Sequence, residues 1–119
     1  MSVCVAVTDS KEGQAALDAA ASEAAQLNTR LVVVNLTGSD LDTARFGPEL
    51  TVDVVVPGPS DLDEVEQVLE VLEGRPEITR LVVGVRPRSP VGKAILGSIP
   101  QRLILEAKIP VLSVKSTEV

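Results

Sequence analysis

The 119-residue sequence has no histidine, no tryptophan and no tyrosine, and only one cysteine and one phenylalanine. Without histidine there is no Ser-His-Asp triad, no Cys-His nucleophile pair and no His-ligated metal. Cys4 alone cannot close an internal disulfide or build a multi-thiolate zinc site, and its apolar neighbours mark it as a buried bystander. The near absence of aromatics removes the stacking platforms that bind bases. Eleven basic against seventeen acidic residues, a formal charge of −6, also oppose a nucleic-acid backbone. No apolar run approaches the ~20 residues of a membrane span. Met1 leads straight into a strand-like segment rather than a secretion signal, so a soluble cytoplasmic protein is expected.

What remains is 45% hydrophobic and 24% charged, the balance of a folded chain whose interior is filled by Val, Leu, Ile and Ala. The length fits one domain spanning 1–119. Val3 to Val7, Leu31 to Val34 and Leu81 to Val83 are short, continuous β-branched or aliphatic runs, as expected for strands covered on both faces. Leu50 to Val56 and Val111 to Val114 complete a set of five.

A helix is expected over Lys11 to Leu27, capped by Ser10 or Asp9 and ended by Asn28 in a left-handed conformation. Ala16, Leu17, Ala20, Ala24 and Leu27 form its packing stripe. A second helix is expected from about Leu62 to Glu73, with Ser60 and Asp61 as capping candidates and Asp61 with Glu64 at capping-box spacing. Leu62, Val65, Val68, Leu69 and Leu72 form its stripe, and Glu66, Glu70 and Glu73 lie off it. A third begins near Ser98, where Ser98-Ile99-Pro100-Gln101 also has capping-box spacing, and continues to Ala107. This alternation makes an open parallel sheet with right-handed crossovers the simplest fold. Thr37 to Glu49 is its shortest link, with room for at most two helical turns.

Ligands of such sheets bind at the carboxyl ends of the strands. Those ends carry Thr8-Asp9-Ser10, Asn35-Leu36 and the long segment Gly84 to Ser98. Gly84, Gly92 and Gly97 allow close backbone approach, Arg86, Arg88 and Lys93 supply positive charge, and Gly97-Ser98 opens a helix with unpaired amides. That chemistry suits an anion such as phosphate, while the same glycines also serve tight turns. It is not a P-loop: the spacing around Gly92-Lys93 would need Gly at 87 and Ser or Thr at 94, where the chain has Pro87 and Ala94.

VAVTDS, LVVVNL, LVVGV and GKAILGSIPQRLILEAKIPVLSV together resemble the universal stress protein family over nearly the whole chain. The family's nucleotide loop reads Gly-x-x-Gly, nine further residues, then Gly-Ser/Thr; Gly84 and Gly97-Ser98 match it, and Pro87 replaces the second glycine. The resemblance implies a five-stranded parallel sheet of order 3-2-1-4-5 with helices on both faces. It implies ATP, or AMP or ADP, with or without magnesium, in one branch of the family and no nucleotide in another. In binding members an acidic residue after the first strand holds the ribose, here Asp9 if that turn is one residue shorter, otherwise Thr8. Leu36 would line the adenine pocket, Gly84 would admit the sugar-phosphate, and Gly97, Ser98 and the Ile99 amide would hold phosphate oxygens. The resemblance also implies a homodimer through the last strand.

Asp9 is the one carboxylate that the sequence places near the loop, and phosphoryl transfer needs a metal-binding carboxylate of its own. The expectation is a regulatory binder without turnover; the alternative is a nucleotide-free dimeric interaction module of the same fold.

Overall fold

Six-residue runs of β-branched and aliphatic side chains can be buried on both faces only at the centre of a layered fold. The first such run, β1 (Ser2–Val7), is buried at every position. In the computed structural model, which describes residues 1–86 and 97–116, β1 lies between β2 (Arg30–Asn35) and β4 (Ile78–Val85). The shorter strands β3 (Val52–Val55) and β5 (Val111–Lys115) form the edges. All neighbours pair in parallel, in the order β3-β2-β1-β4-β5. The third strand is shorter than the Leu50 to Val56 span expected, because only Val52 to Val55 find partners on β2.

Helix α1 (Lys11–Gln26) covers one face, setting Ala16, Leu17, Ala20, Ala21 and Ala24 against Val3, Val5, Val7, Leu31, Val33 and Val82. Small alanines bring the helix axis close to the strands. Asn28 follows the helix with φ 52°, the left-handed residue expected there. The link from β2 to β3 crosses the same face with a single 3-10 turn, Ala44–Phe46. Leu41, Phe46 and Leu50 pack against the core beneath α1, and Arg45 pairs with Asp18 at 2.5 Å.

Helices α2 (Glu64–Gly74) and α3 (Ser98–Glu106) cover the other face, where Val65, Val68 and Leu103 meet Cys4, Ala6, Val32, Val34, Leu81 and Val83. Helix α2 starts two residues later than the sequence suggests. Its cap is Asp63, which accepts from the Glu66 amide at 2.8 Å while Glu66 returns a carboxylate to the Asp63 amide at 3.1 Å. Asp61 loses that role because Asp63 has a second partner: Arg102 of α3 reaches its other oxygen at 2.7 Å. Ser60 instead closes a turn ahead of the helix, accepting from the Leu62 amide. At α3 the expected box of Ser98 with Gln101 does not form. Gly97 is the extended N-cap, and the Gln101 amide bonds to the Gly97 carbonyl at 3.2 Å. With Pro100 third in the helix, there is no amide at that position for a capping side chain to serve.

Candidate functional site

The strand order reverses between β1 and β4, so the chain leaves those two strands toward opposite faces and opens a crevice at their carboxyl ends. The turn after β1 is tightly organised. Ser10 accepts from the Gly13 amide at 2.9 Å and caps α1, and its hydroxyl shares a 2.8 Å hydrogen bond with that of Thr8. Thr8 is thereby engaged in holding the turn. Asp9, between them, is exposed.

Gly84 has a packing reason to be glycine. A Cβ there would stand 2.0 Å from the Glu12 carbonyl oxygen and 2.4 Å from its carbon. The first turn of α1 therefore occupies the side of Gly84 that a side chain would fill. Arg86 leans the same way, its Nε donating to Glu12 Oε2 at 3.2 Å. Glu12 thus corrects the sequence reading in which Asp9 was the one carboxylate near this loop: α1 supplies another, and it neutralises one of the three cations. Arg88 and Gly92, with Pro87 and Lys93, lie outside the described residues.

Beside Thr8, the Leu36 amide donates to the Val7 carbonyl at 2.9 Å, which fixes Leu36 at the rim of the sheet. Leu36 lines a cleft of about 280 Å³ together with Asn35, Asp40, Val56, Pro57, Glu64 and Gln67, and the Gly38-Ser39 turn forms its lip. Asn35 is the organiser. Its buried amide donates to the Ser39 carbonyl at 2.8 Å and accepts from the Thr37 amide at 3.0 Å and the Thr37 hydroxyl at 2.7 Å. A polar residue ending an apolar strand and followed by Leu-Thr-Gly-Ser is the signal that could have marked it.

On the far side of the crevice, Gly97, Ser98 and Ile99 form the first turn of α3, where Ser98 and Ile99 precede the first intrahelical amide bonds and Pro100 contributes none. Arg102 joins the two helices by bonding Asp63 at 2.7 Å and Glu106 at 3.0 Å. The structure therefore brings Thr8, Asp9, Leu36, Gly84, Gly97, Ser98 and Ile99 to one edge of the sheet, and turns Arg86 onto α1.

The sequence profile described as the Universal stress protein family matches residues 1–115. A universal stress protein from Mycolicibacterium smegmatis is 39% identical over 116 residues, covering 87% of this chain and 88% of that one. The chain belongs to the universal stress protein family. Among solved structures, a universal stress protein from Archaeoglobus fulgidus superposes with a TM-score of 0.77 at 25% identity, covering 97% of this chain and 98% of that one. A universal stress protein from Archaeoglobus fulgidus in complex with dAMP superposes at 0.70 with 20% identity and the same coverage.

Seen as a universal stress protein, the chain has an edge of two characters. The cleft side carries carboxylates and amides, with no cation among its described lining residues. The α3 side offers backbone amides at the positive end of a helix. Among the described residues, no three His, Cys, Asp or Glu side chains come together as a metal site, and no helix is long and apolar enough to cross a membrane.

Proposed function

We propose that this universal stress protein binds an adenine nucleotide, with the base in the cleft beside Leu36 and the phosphate on the amides of Ser98 and Ile99. The observation that carries the reading is the pairing of those two features at one strand edge. A cleft suited to a flat base and a helix N-terminus suited to an anion both lie on the side of the sheet where the parallel strands end. The acidic lining of the cleft sets the orientation, since Asp40 and Glu64 would repel a phosphate. Asp9 or Thr8, in the turn after β1, would hold the ribose. The fold relative in complex with dAMP supports an adenine ligand. AMP, ADP and ATP are all candidates, and the residues outside the described set include two cations for further phosphates. The role is regulatory binding in a stress response, in the cytoplasm, without turnover.

Two features favour the second reading, a nucleotide-free interaction module. Arg86 is occupied by Glu12 and Pro87 removes an amide from the loop. Thermal shift with AMP, ADP and ATP, with and without magnesium, decides between them. A ligand at about 100 times its dissociation constant stabilises the fold by ~2.7 kcal/mol, and the absence of any shift at millimolar nucleotide refutes binding. Homodimerisation through β5 belongs to the same proposal: Leu112 is 43% exposed on that edge and Leu105 of α3 is 75% exposed. Light scattering at micromolar concentration should give twice the chain mass.

A further inference from the structure

Helix α2 carries four glutamates and no lysine or arginine between Glu64 and Gly74. It ends just before β4 begins, and α3 ends just before β5 begins, so both helix carboxyl ends lie at the edge of the sheet opposite the crevice. A groove of about 240 Å³ separates them. Leu69, Leu72 and Ile109 line it, each only partly covered by the core, and Glu73, Glu106 and Lys108 supply its charges. Helix carboxyl ends are themselves partly negative and ordinarily gather cations. Neither last turn here holds one: α2 places Glu73 there and α3 places Glu106. Arg75, directly after α2, is drawn off to Asp53 at 2.5 Å, and Arg102 reaches Glu106 at 3.0 Å. Exposed Glu73 forms an ion pair with no described residue. Negative charge collected at helix carboxyl ends costs stability, and folded chains keep such costs chiefly at working surfaces.

We propose that this groove docks a basic peptide segment of a partner protein. A bulky apolar side chain enters between Leu69, Leu72 and Ile109, and flanking lysines or arginines meet Glu73 and Glu106. Charge complementarity fixes the occupant, because two carboxylates and two helix carboxyl ends outweigh the single cation Lys108. A second copy of this chain is a poorer match, since its net charge of −6 opposes the acidic rim. The lining also excludes Leu105 and Leu112, the apolar side chains exposed near the β5 edge. An apolar anchor buried at the centre with charges around it is the arrangement in which interfaces concentrate their affinity. The proposal stands apart from nucleotide binding, which concerns the other end of the sheet.

Titration of isotope-labelled protein with the synthetic peptide Lys-Lys-Leu-Leu-Lys-Lys, followed by NMR at low salt, tests this. The amide signals of Leu69, Leu72, Lys108 and Ile109 should move and saturate. The same peptide with serine for leucine keeps the charge and should bind at least about tenfold more weakly, the effect of losing a buried aliphatic side chain. A Glu-Glu-Leu-Leu-Glu-Glu peptide should give no saturating shift. Glu73→Lys, which places a cation at a helix carboxyl end and so does not endanger folding, should weaken the basic peptide by about fivefold. Lys108→Glu should strengthen it to a similar degree. Asp42→Lys, on the link from β2 to β3, makes the same charge change as Glu73→Lys away from the groove and should stay within about twofold of wild type. Equal binding of the serine peptide overturns the apolar anchor. Equal weakening by Asp42→Lys and Glu73→Lys reduces the effect to net charge and overturns the site. Shifts that never saturate, or that gather around Leu36 instead, overturn the proposal outright.

Discussion

Replacing Gly84 by alanine probes how closely α1 is set on the sheet. The added methyl carbon would lie 2.0 Å from the Glu12 carbonyl oxygen, 2.4 Å from its carbon and 3.1 Å from the Gly13 nitrogen. Side-chain carbons essentially never come within 3.0 Å of such atoms, so the helix must lift or β4 must retreat by about 1 Å. Neither movement is easy. The obstructing atoms are backbone, and the same turn is pinned next door, where a Cβ on Gly13 would meet the Thr8 carbonyl oxygen at 2.1 Å. Overpacking a filled interior costs ~1–3 kcal/mol, and a backbone clash belongs at the top of that range, about 3 kcal/mol. For a chain of this size that corresponds to a fall in Tm of roughly 10–15 °C. Gly74→Ala is the control. It sits in the last turn of α2 with nothing within 4 Å of the added carbon, and should be neutral or stabilising by ~0.5–1 kcal/mol. Urea unfolding followed by circular dichroism measures both. A Gly84→Ala protein within about 0.5 kcal/mol of wild type, the range of an ordinary surface substitution, would refute the interlock.

Asn35→Ala removes three hydrogen bonds that shape the cleft lip and should cost ~1–3 kcal/mol in urea unfolding while weakening nucleotide binding. Asp63 is held below the usual carboxylate range, first by the Arg102 guanidinium and then by the Glu66 amide. A depressed folded pKa stabilises above the ordinary value near 4 and is lost as pH falls through the folded one. Asp63→Ala should therefore lower Tm at neutral pH, and the gap to wild type should close on acidification below about pH 4, as calorimetry across pH would record. Burial pushes the Cys4 thiol up to about 12, against a small opposing effect of Arg75. Native protein should resist iodoacetamide at pH 8 and be alkylated fully in denaturant, read by intact mass.

The central sheet was legible because strands covered on both faces cannot alternate. Val3 to Val7 and Leu31 to Val34 are apolar throughout for that reason. The alanine stripe of α1 and the left-handed Asn28 were equally local signals. What sequence reasoning missed depends on partners far along the chain. The choice of Asp63 over Asp61 as a cap is settled by Arg102, 39 residues away. Gly84 read as an opening for ligand, while its spatial neighbour is a helix turn more than 70 residues earlier. Glu64 and Gln67 look like the solvated side of an ordinary amphipathic helix until topology brings α2 over the ends of β2 and β3. Leu36 enters only through the family resemblance, and the adjacent Asn35 reads in sequence as no more than the end of a strand, although both line the same cleft.

The division of the edge into an acidic cleft and an amide-bearing helix start also bears on how a nucleotide could find its place. A chain of net charge −6 repels phosphates at a distance, so long-range steering works against binding. Specificity must then arise at short range, from fixed dipoles and shape. The two walls that supply it are first turns of helices, α2 and α3, and the guanidinium of Arg102 ties one to the other. As an exposed ion pair this bridge adds little to stability. Its consequence is geometric: it ties the first turns of α2 and α3 together, and on the proposed reading a spacing set before the ligand arrives would lower the ordering cost of binding.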